Sequence, residues 1–319
     1  MAKIVHLDGY FDNPDGSFLE ENAVLSAVGE SVHAPQQGGW EDAVNAEVIL
    51  VRAEKITAKD IGAFKKCRAI IRYGIGLDKI DLEAATQAGI AVCNVPDFCV
   101  QEMADHTVAL ALTLHRRLPE YQEAARKGEW LLQRNMPISD SSAQWFVTLG
   151  FGRIARQVLH RAKAFGFQVA AADPFVSEQT IQNEGVVPLS LDQALCQADL
   201  LSLHCPLTPD TRNLLNADTL ATMKTGAVLI NTARGALVDT EALTVALEQG
   251  KLRAAGLDVT EPEPLPVGHP LYHMQQVIIT PHMAWYSEQA ESRLKKLVAE
   301  EALRALKNEP LRHPVRSKS

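Results

Sequence analysis

Apolar and polar positions change their period repeatedly along this chain. Residues 145–149, 168–172, 199–203, 227–230, 254–257 and 277–279 are short apolar runs of strand length. Between them apolar residues recur at helical spacing. Ile154, Val158, Leu159 and Ala162 fall at i, i+4, i+5 and i+8, and helices are predicted over 191–198, 216–223 and 240–249. Strand and helix alternating in this way predict a parallel sheet with helices on both faces. The first part of the chain alternates too, with strands over 3–7, 47–51, 69–71 and 90–92, a helix over 81–89 and a turn at 13–16.

Three segments break this rhythm. Residues 100–114 are apolar almost all round, which predicts a helix buried on most faces. Residues 121–144 are polar and irregular, as in an arm that packs on a second subunit. Residues 284–306 form one long amphipathic pattern with Ala290, Leu294, Leu297 and Val298 on one face, able to carry the chain back to its first domain.

The most informative stretch is 144–174. A strand leads into Gly150-Phe151-Gly152-Arg153-Ile154-Ala155, a helix follows, and a second strand ends on Asp173. This is the context a G-x-G-x-x-G/A dinucleotide fingerprint requires. Gly150 permits the tight turn, Gly152 lets a pyrophosphate approach the backbone, and the N–H groups of the helix, with Arg153 and Ile154 in its first turn, point at that phosphate. Asp173 stands where a carboxylate accepts from ribose hydroxyls and repels a 2′-phosphate, so NAD (NADH) is expected rather than NADP.

Composition narrows the class. The chain has 319 residues, 46% of them hydrophobic, enough for two cores. A formal charge of −8 argues against nucleic acid and acidic membranes. With no apolar run long enough to span a bilayer and no signal peptide, no membrane partner is expected. Five cysteines without a C-x-x-C pattern read as reduced thiols of a cytoplasmic protein, and no cluster has the spacing of a metal site, so no metal is expected. The basic tail, residues 312–319, reads as frayed.

Polar residues gather at the predicted strand ends, where ligands bind in such sheets. Asp173 follows one strand, His204-Cys205-Pro206 another, Asn231-Thr232-Ala233-Arg234-Gly235 the next, then Asp258, and Thr280-Pro281-His282 the last. Cys205, Pro206, Thr232, Ala233, Arg234, Asp258 and His282 are therefore added to the expected cofactor contacts, together with Thr211 on the loop that follows Pro206.

These motifs, with the loop from Arg72 to Asp81, Val92-Cys93-Asn94-Val95-Pro96 and Glu102-Met103-Ala104-Asp105-His106-Thr107, resemble the D-isomer-specific 2-hydroxyacid dehydrogenase family along nearly the whole chain. The segment from Pro281 to Gln289 is most similar to its C-terminal binding protein branch, which holds both enzymes and eukaryotic corepressors. Lys79, where the family usually has Asn, and Val147, where it often has Gly, depart from the pattern. The resemblance implies a Rossmann-type doubly wound NAD-binding domain, residues 98–285. It would be inserted in a smaller flavodoxin-like α/β substrate domain, residues 1–97 and 286–319. It also implies homodimers made through the 100–114 helix and the arm.

The resemblance further implies an oxidoreductase that interconverts a small 2-oxo acid and a D-2-hydroxy acid. Arg234, whose fork suits carboxylate and carbonyl oxygens, would anchor the substrate. His282, of a residue type that titrates near pH 6.5, would relay the proton, and Glu263 would hold its imidazole. Arg72 and the amides of Ile75 and Gly76 would grip the carboxylate. Trp285 would line the pocket and favour a bulky or apolar tail. D-3-phosphoglycerate dehydrogenase is a variant within the class, set aside because the chain ends near 319 with no added regulatory domain. The reading from a different class is an NAD-sensing dimeric scaffold of corepressor type. Retention of Arg234, Glu263 and His282 argues against it.

Overall fold

The computed structural model describes residues 3–8, 17–35, 38–130 and 136–315. The turn expected at 13–16, the middle of the arm and the last four residues lie outside these. The chain divides into two compact units, one of residues 1–99 with 287–319, the other of residues 100–286.

In the first unit five parallel strands, β1 (Ile4–His6), β2 (Val32–His33), β3 (Val48–Val51), β4 (Ala69–Arg72) and β5 (Ala91–Cys93), lie in the order β2-β1-β3-β4-β5. This is the flavodoxin-like order. The apolar runs β3 and β4 take the centre because both their faces are covered, and the buried residues Ile49, Val51, Ile70, Ile80 and Val92 share one core. Asp81 starts the helix Leu82–Gln87, accepting from the Ala84 N–H at 2.9 Å. The returning helix, Glu288–Leu306, buries Ala290, Leu294, Val298, Ala299, Ala302 and Ala305. It begins four residues later than its apolar pattern does. Ser287 caps it through the Ala290 N–H at 2.9 Å, so residues 284–286 stay outside.

In the second unit seven strands follow, all parallel: β6 (Trp145–Leu149), β7 (Gln168–Ala172), β8 (Val187–Pro188), β9 (Leu200–Leu203), β10 (Ala227–Asn231), β11 (Leu252–Leu257) and β12 (Val277–Ile279). Their order is β12-β11-β10-β9-β6-β7-β8, the doubly wound order of a Rossmann sheet with one strand added. The winding reverses between β6 and β9, which sets residues 150–152 and 204–206 side by side beyond the strand ends. One apolar layer includes Val147, Leu201, Leu229 and Ala255, and the other Phe146, Leu200, Val228 and Ala254, because side chains alternate across the sheet. The helix Val100–His115 belongs to the second layer through Ala104, Val108, Leu110, Ala111 and Leu114.

Two expectations are corrected. The arm is not irregular from its start, because a helix runs Leu118–Arg126. Pro119 in its first turn is preorganised for a helix and Arg126 complements its C-terminal dipole, signals that its polar composition masks. The basic tail is not frayed as far as residue 315. A strand β13 (Pro314–Val315) pairs antiparallel with β5, and the Arg312 N–H donates to Glu301 Oε2 at 2.9 Å. Among the described residues no helix is long and apolar enough to cross a membrane.

Candidate active site

The glycine turn is built as its residue types require. Gly150 has φ +103°, and a Cβ there would lie 2.7 Å from the His204 carbonyl oxygen, so the turn that lets β6 approach β9 accepts only glycine. At Gly152, where the helix Arg153–Ala164 begins without a side-chain cap, a Cβ would meet nothing within 4 Å. Open space at an uncapped helix N-terminus fits a pyrophosphate. Asp173 Oδ2 accepts the Phe151 N–H at 2.8 Å and Oδ1 the Phe175 N–H at 2.9 Å. The carboxylate thus ties the turn to the end of β7. It keeps acceptor sites for ribose hydroxyls, having about four lone-pair positions.

Across the switch point, burial pushes the Cys205 thiol up to about 11, with the charge of Asp173 acting in the same direction, which disfavours its thiolate. Thr211 Oγ1 donates to the Pro206 carbonyl at 2.7 Å and accepts the Thr208 N–H at 2.8 Å. Thr211 therefore organises the loop that presents Pro206. Among the described residues no group of three or more His, Cys, Asp and Glu side chains could hold a metal ion.

After β10 the chain must turn Arg234 outward, and Asn231 does this. Its Oδ1 accepts the Ala233 N–H at 3.0 Å and its Nδ2 donates to the Arg234 carbonyl at 2.8 Å. Arg234 itself donates to the Ala233 carbonyl at 2.7 Å. Gly235 then lies so close to the 260–263 segment that a Cβ would fall 1.9 Å from the Thr260 carbonyl oxygen. This close approach lets the charge of Arg234 reach Glu263. Burial disfavours ionisation of Glu263. The hydrogen bond and charge of His282, with smaller contributions from a Thr260 backbone hydrogen bond and Arg234, outweigh that and hold its carboxyl below the usual range.

His282 follows β12 and faces Glu263, with Nδ1 and Oε1 2.6 Å apart. The two side chains are 46% and 42% exposed, so the pair is open to a ligand. His282 has φ +51°, a left-handed backbone that persists in a non-glycine residue only where its surroundings enforce it. Asp258 enforces it. Its carbonyl accepts the His282 N–H at 2.9 Å, and its buried carboxylate accepts the Met283 and Ala284 N–H groups, each at 2.9 Å, and the Thr280 hydroxyl at 2.5 Å. Sequence reasoning placed Asp258 on the rim as a cofactor contact. In the structure its carboxylate is turned inward and serves the His282 loop.

The half-buried Trp285 donates its indole N–H to the His282 carbonyl at 3.0 Å and stacks edge-on to Tyr286. Thr232 accompanies Ala233 on the Arg234 loop, and its hydroxyl lies 2.9 Å from that of Thr107. Arg72, Ile75 and Gly76 belong to the first unit, on the loop after β4. Asn94 pins that loop by donating to the Ile75 carbonyl at 2.7 Å, and the Val95 N–H holds the Gly74 carbonyl at 3.1 Å. The structure thus gathers Arg234, Glu263 and His282 in one place. It adds roles for Asn231 and Thr280, which the sequence places on the rim without assigning them one. Only the two-residue reach of an Asn side chain back to its own loop could have signalled the former.

Residues 108–284 match the family model described as D-isomer specific 2-hydroxyacid dehydrogenase, NAD binding domain. The chain is 39% identical over 298 residues to a D-3-phosphoglycerate dehydrogenase of Methanocaldococcus jannaschii, an alignment covering 91% of this chain and 56% of that protein. It therefore spans about half the length of the curated relatives it matches. A D-lactate dehydrogenase from Aquifex aeolicus, solved with NAD and lactic acid, superposes with a TM-score of 0.88 at 26% identity, over 99% of this chain and 100% of that one. A glyoxylate reductase from Paecilomyes thermophila superposes with a TM-score of 0.86 at 28% identity, over 98% of each chain. The chain belongs to the D-isomer specific 2-hydroxyacid dehydrogenase family, and residues 108–284 carry its NAD-binding domain.

Proposed function

We propose that the protein is an NAD-dependent oxidoreductase that interconverts a small 2-oxo acid and the corresponding D-2-hydroxy acid. The observation that carries this is the 2.6 Å contact between His282 Nδ1 and Glu263 Oε1, beside an arginine whose charge that carboxylate feels. Bound at the Gly150–Gly152 turn and Asp173, NAD supplies the hydride chemistry. Arg234 binds the substrate carboxylate and orients its carbonyl through a planar fork. With Nδ1 turned to Glu263, His282 presents Nε2 to the substrate. It donates a proton to the carbonyl oxygen in reduction and takes one from the hydroxyl in oxidation. Glu263, ionised, accepts from Nδ1 and fixes the ring orientation.

Arg72 with the amides of Ile75 and Gly76 is the carboxylate-binding element of the first unit in this reading. Trp285, tied to the backbone of His282, contributes to selection of the substrate tail. A homodimer through the Val100–His115 helix and the following arm belongs to the same reading, and the exposure of Leu118 and Trp130 fits it.

The test is NADH and NADPH oxidation at 340 nm against 2-oxo acids from glyoxylate and pyruvate to branched, aromatic and phosphorylated tails. The last class represents relatives named for D-3-phosphoglycerate. Turnover with NADH on one class is expected, with His282→Ala lowering kcat at least about a hundredfold. NADH binding without turnover on any member, or near-normal turnover by His282→Ala, would overturn the assignment.

A further inference from the structure

Two consecutive side chains of the Val100–His115 helix reach the two loops that carry the proposed chemistry. Thr107, fully buried, has its hydroxyl 2.9 Å from the Thr232 hydroxyl, two residues before Arg234. His106 has Nε2 3.0 Å from the Thr280 hydroxyl, two residues before His282. The Thr280 hydroxyl donates to Asp258 Oδ1 at 2.5 Å, and His106 Nε2 itself lies 3.8 Å from that oxygen. Asp258 in turn holds the backbone of residues 282–284 through three N–H groups.

Consecutive residues of a helix point about 100° apart, so one turn can serve two neighbouring loops. The Thr107 hydroxyl also donates to the Met103 carbonyl at 2.7 Å, which fixes its rotamer and leaves its oxygen to accept from Thr232. His106 is mostly buried yet polar, and its hydrogen-bond partner, the Thr280 hydroxyl, is itself committed to the Asp258 carboxylate. The chain His106, Thr280, Asp258, His282 and the shorter chain Thr107, Thr232, Arg234 start from adjacent residues of one rigid element. Groups held this way keep the sub-ångström placement that proton transfer and carboxylate binding demand.

We propose that His106 and Thr107 are paired positioning residues, through which one turn of the Val100–His115 helix sets the His282 and Arg234 loops relative to each other. The inference rests on the proposed dehydrogenase reading for its kinetic consequences and on geometry alone for its structural ones.

The test uses matched variants of the full chain. His106→Leu and Thr107→Val remove the polar atom at similar volume. His106→Gln and Thr107→Ser restore one. His106→Leu is expected to lower kcat by roughly ten- to a hundredfold and to displace the pH profile of kcat/KM, with NADH affinity retained. Thr107→Val is expected to act mainly on KM for the 2-oxo acid, through Arg234. The Gln and Ser variants should recover most of each loss. The His282 ring resonances at one fixed pH, read by NMR, report the first link without turnover. They should move in His106→Leu and return in His106→Gln. Unmoved His282 resonances in His106→Leu would overturn the proposal whether or not the protein turns over a 2-oxo acid. So would equal losses in the Gln and Leu variants, which would mean packing alone. Absence of turnover in the wild-type chain, with the resonances responding as expected, would instead count against the dehydrogenase reading and leave the positioning link standing.

Discussion

At the scale of single residues, the glycines of the fingerprint separate two demands that one motif combines. Gly150 answers a demand of the fold, because a Cβ would strike the His204 backbone and φ +103° is closed to other residues. Gly152 answers no demand of the chain, having an ordinary φ of −78° and open space around the Cβ position. In the proposed reading its demand comes from the cofactor. Gly152→Ala should therefore melt within about 0.5 kcal/mol of the wild type, while NADH affinity falls at least about tenfold. Gly150→Ala and Gly235→Ala, which push a methyl into backbone, should each cost about 1–3 kcal/mol of stability. Thermal melts and NADH fluorescence titration check both, and an unchanged NADH affinity in Gly152→Ala would remove the phosphate cradle.

The places of the fingerprint, Asp173 and the rim motifs at a turn, a helix start and strand ends were legible in the sequence, because each follows from a local requirement. The inward turn of the Asp258 carboxylate was not. Its partners, Thr280, Met283 and Ala284, lie more than twenty residues away, and only β11 pairing with β12 brings them together. Likewise the sequence contains His106 as a polar residue on an apolar helix, but not the loop that it faces.

At the scale of elements, long buried runs declared themselves and short edge strands did not. β2, β8 and β13 are two residues each, too short for any period to show. The basic composition of the tail pointed to fraying, whereas its backbone finds partners. β13 pairs with β5, and the Arg312 N–H meets Glu301, a carboxylate 1% exposed. Cys93, opposite Pro314, has its thiol pushed up to about 12 by burial and by the charge of Glu301, which disfavours its thiolate.

A chain ended after Pro310 should lose about 1–3 kcal/mol, from ladder hydrogen bonds and from the stranded Glu301 carboxylate. Arg312→Ala keeps the backbone N–H on Glu301 and removes two side-chain pairings, the exposed one with Glu300 at 2.6 Å and one 3.6 Å from the buried Glu301 Oε1, which Arg304 still neighbours at 3.7 Å, so it should cost less than the truncation. Denaturant unfolding of both variants distinguishes the latch from a loose tail, for which truncation would leave the midpoint unchanged.

At the scale of the whole molecule, the dinucleotide machinery belongs to one unit, and a pair of buried titratable groups with opposed responses belongs to the other. His6 is 2% exposed between the rings of Phe18 and Tyr73. Burial lowers its pKa to about 4, against the pull of Asp8. Glu21, fully buried and bonded to the Tyr73 hydroxyl at 2.9 Å, is shifted upward, again by burial.

The signs differ. An unfolded chain protonates His6 below about pH 6.5 and the folded one only near 4. Its contribution to stability is therefore complete above pH 6.5 and is lost as pH falls toward 4. Folding favours protonated Glu21, so that contribution is present below the unfolded carboxylate range and is lost as pH rises through the raised value. The two slopes oppose each other, and the pH–stability curve of the wild type alone does not isolate either. A difference between chains does. His6→Phe keeps an aromatic ring beside Phe18 and Tyr73 and removes the proton site, leaving Glu21 in both proteins. Between pH 7.5 and 5 the wild type should lose about 2 kcal/mol more than His6→Phe, measured by urea unfolding followed through signals of the first unit. Parallel curves would mean that His6 titrates as an ordinary histidine, and acid lability of this unit would then have to come from elsewhere in its fold.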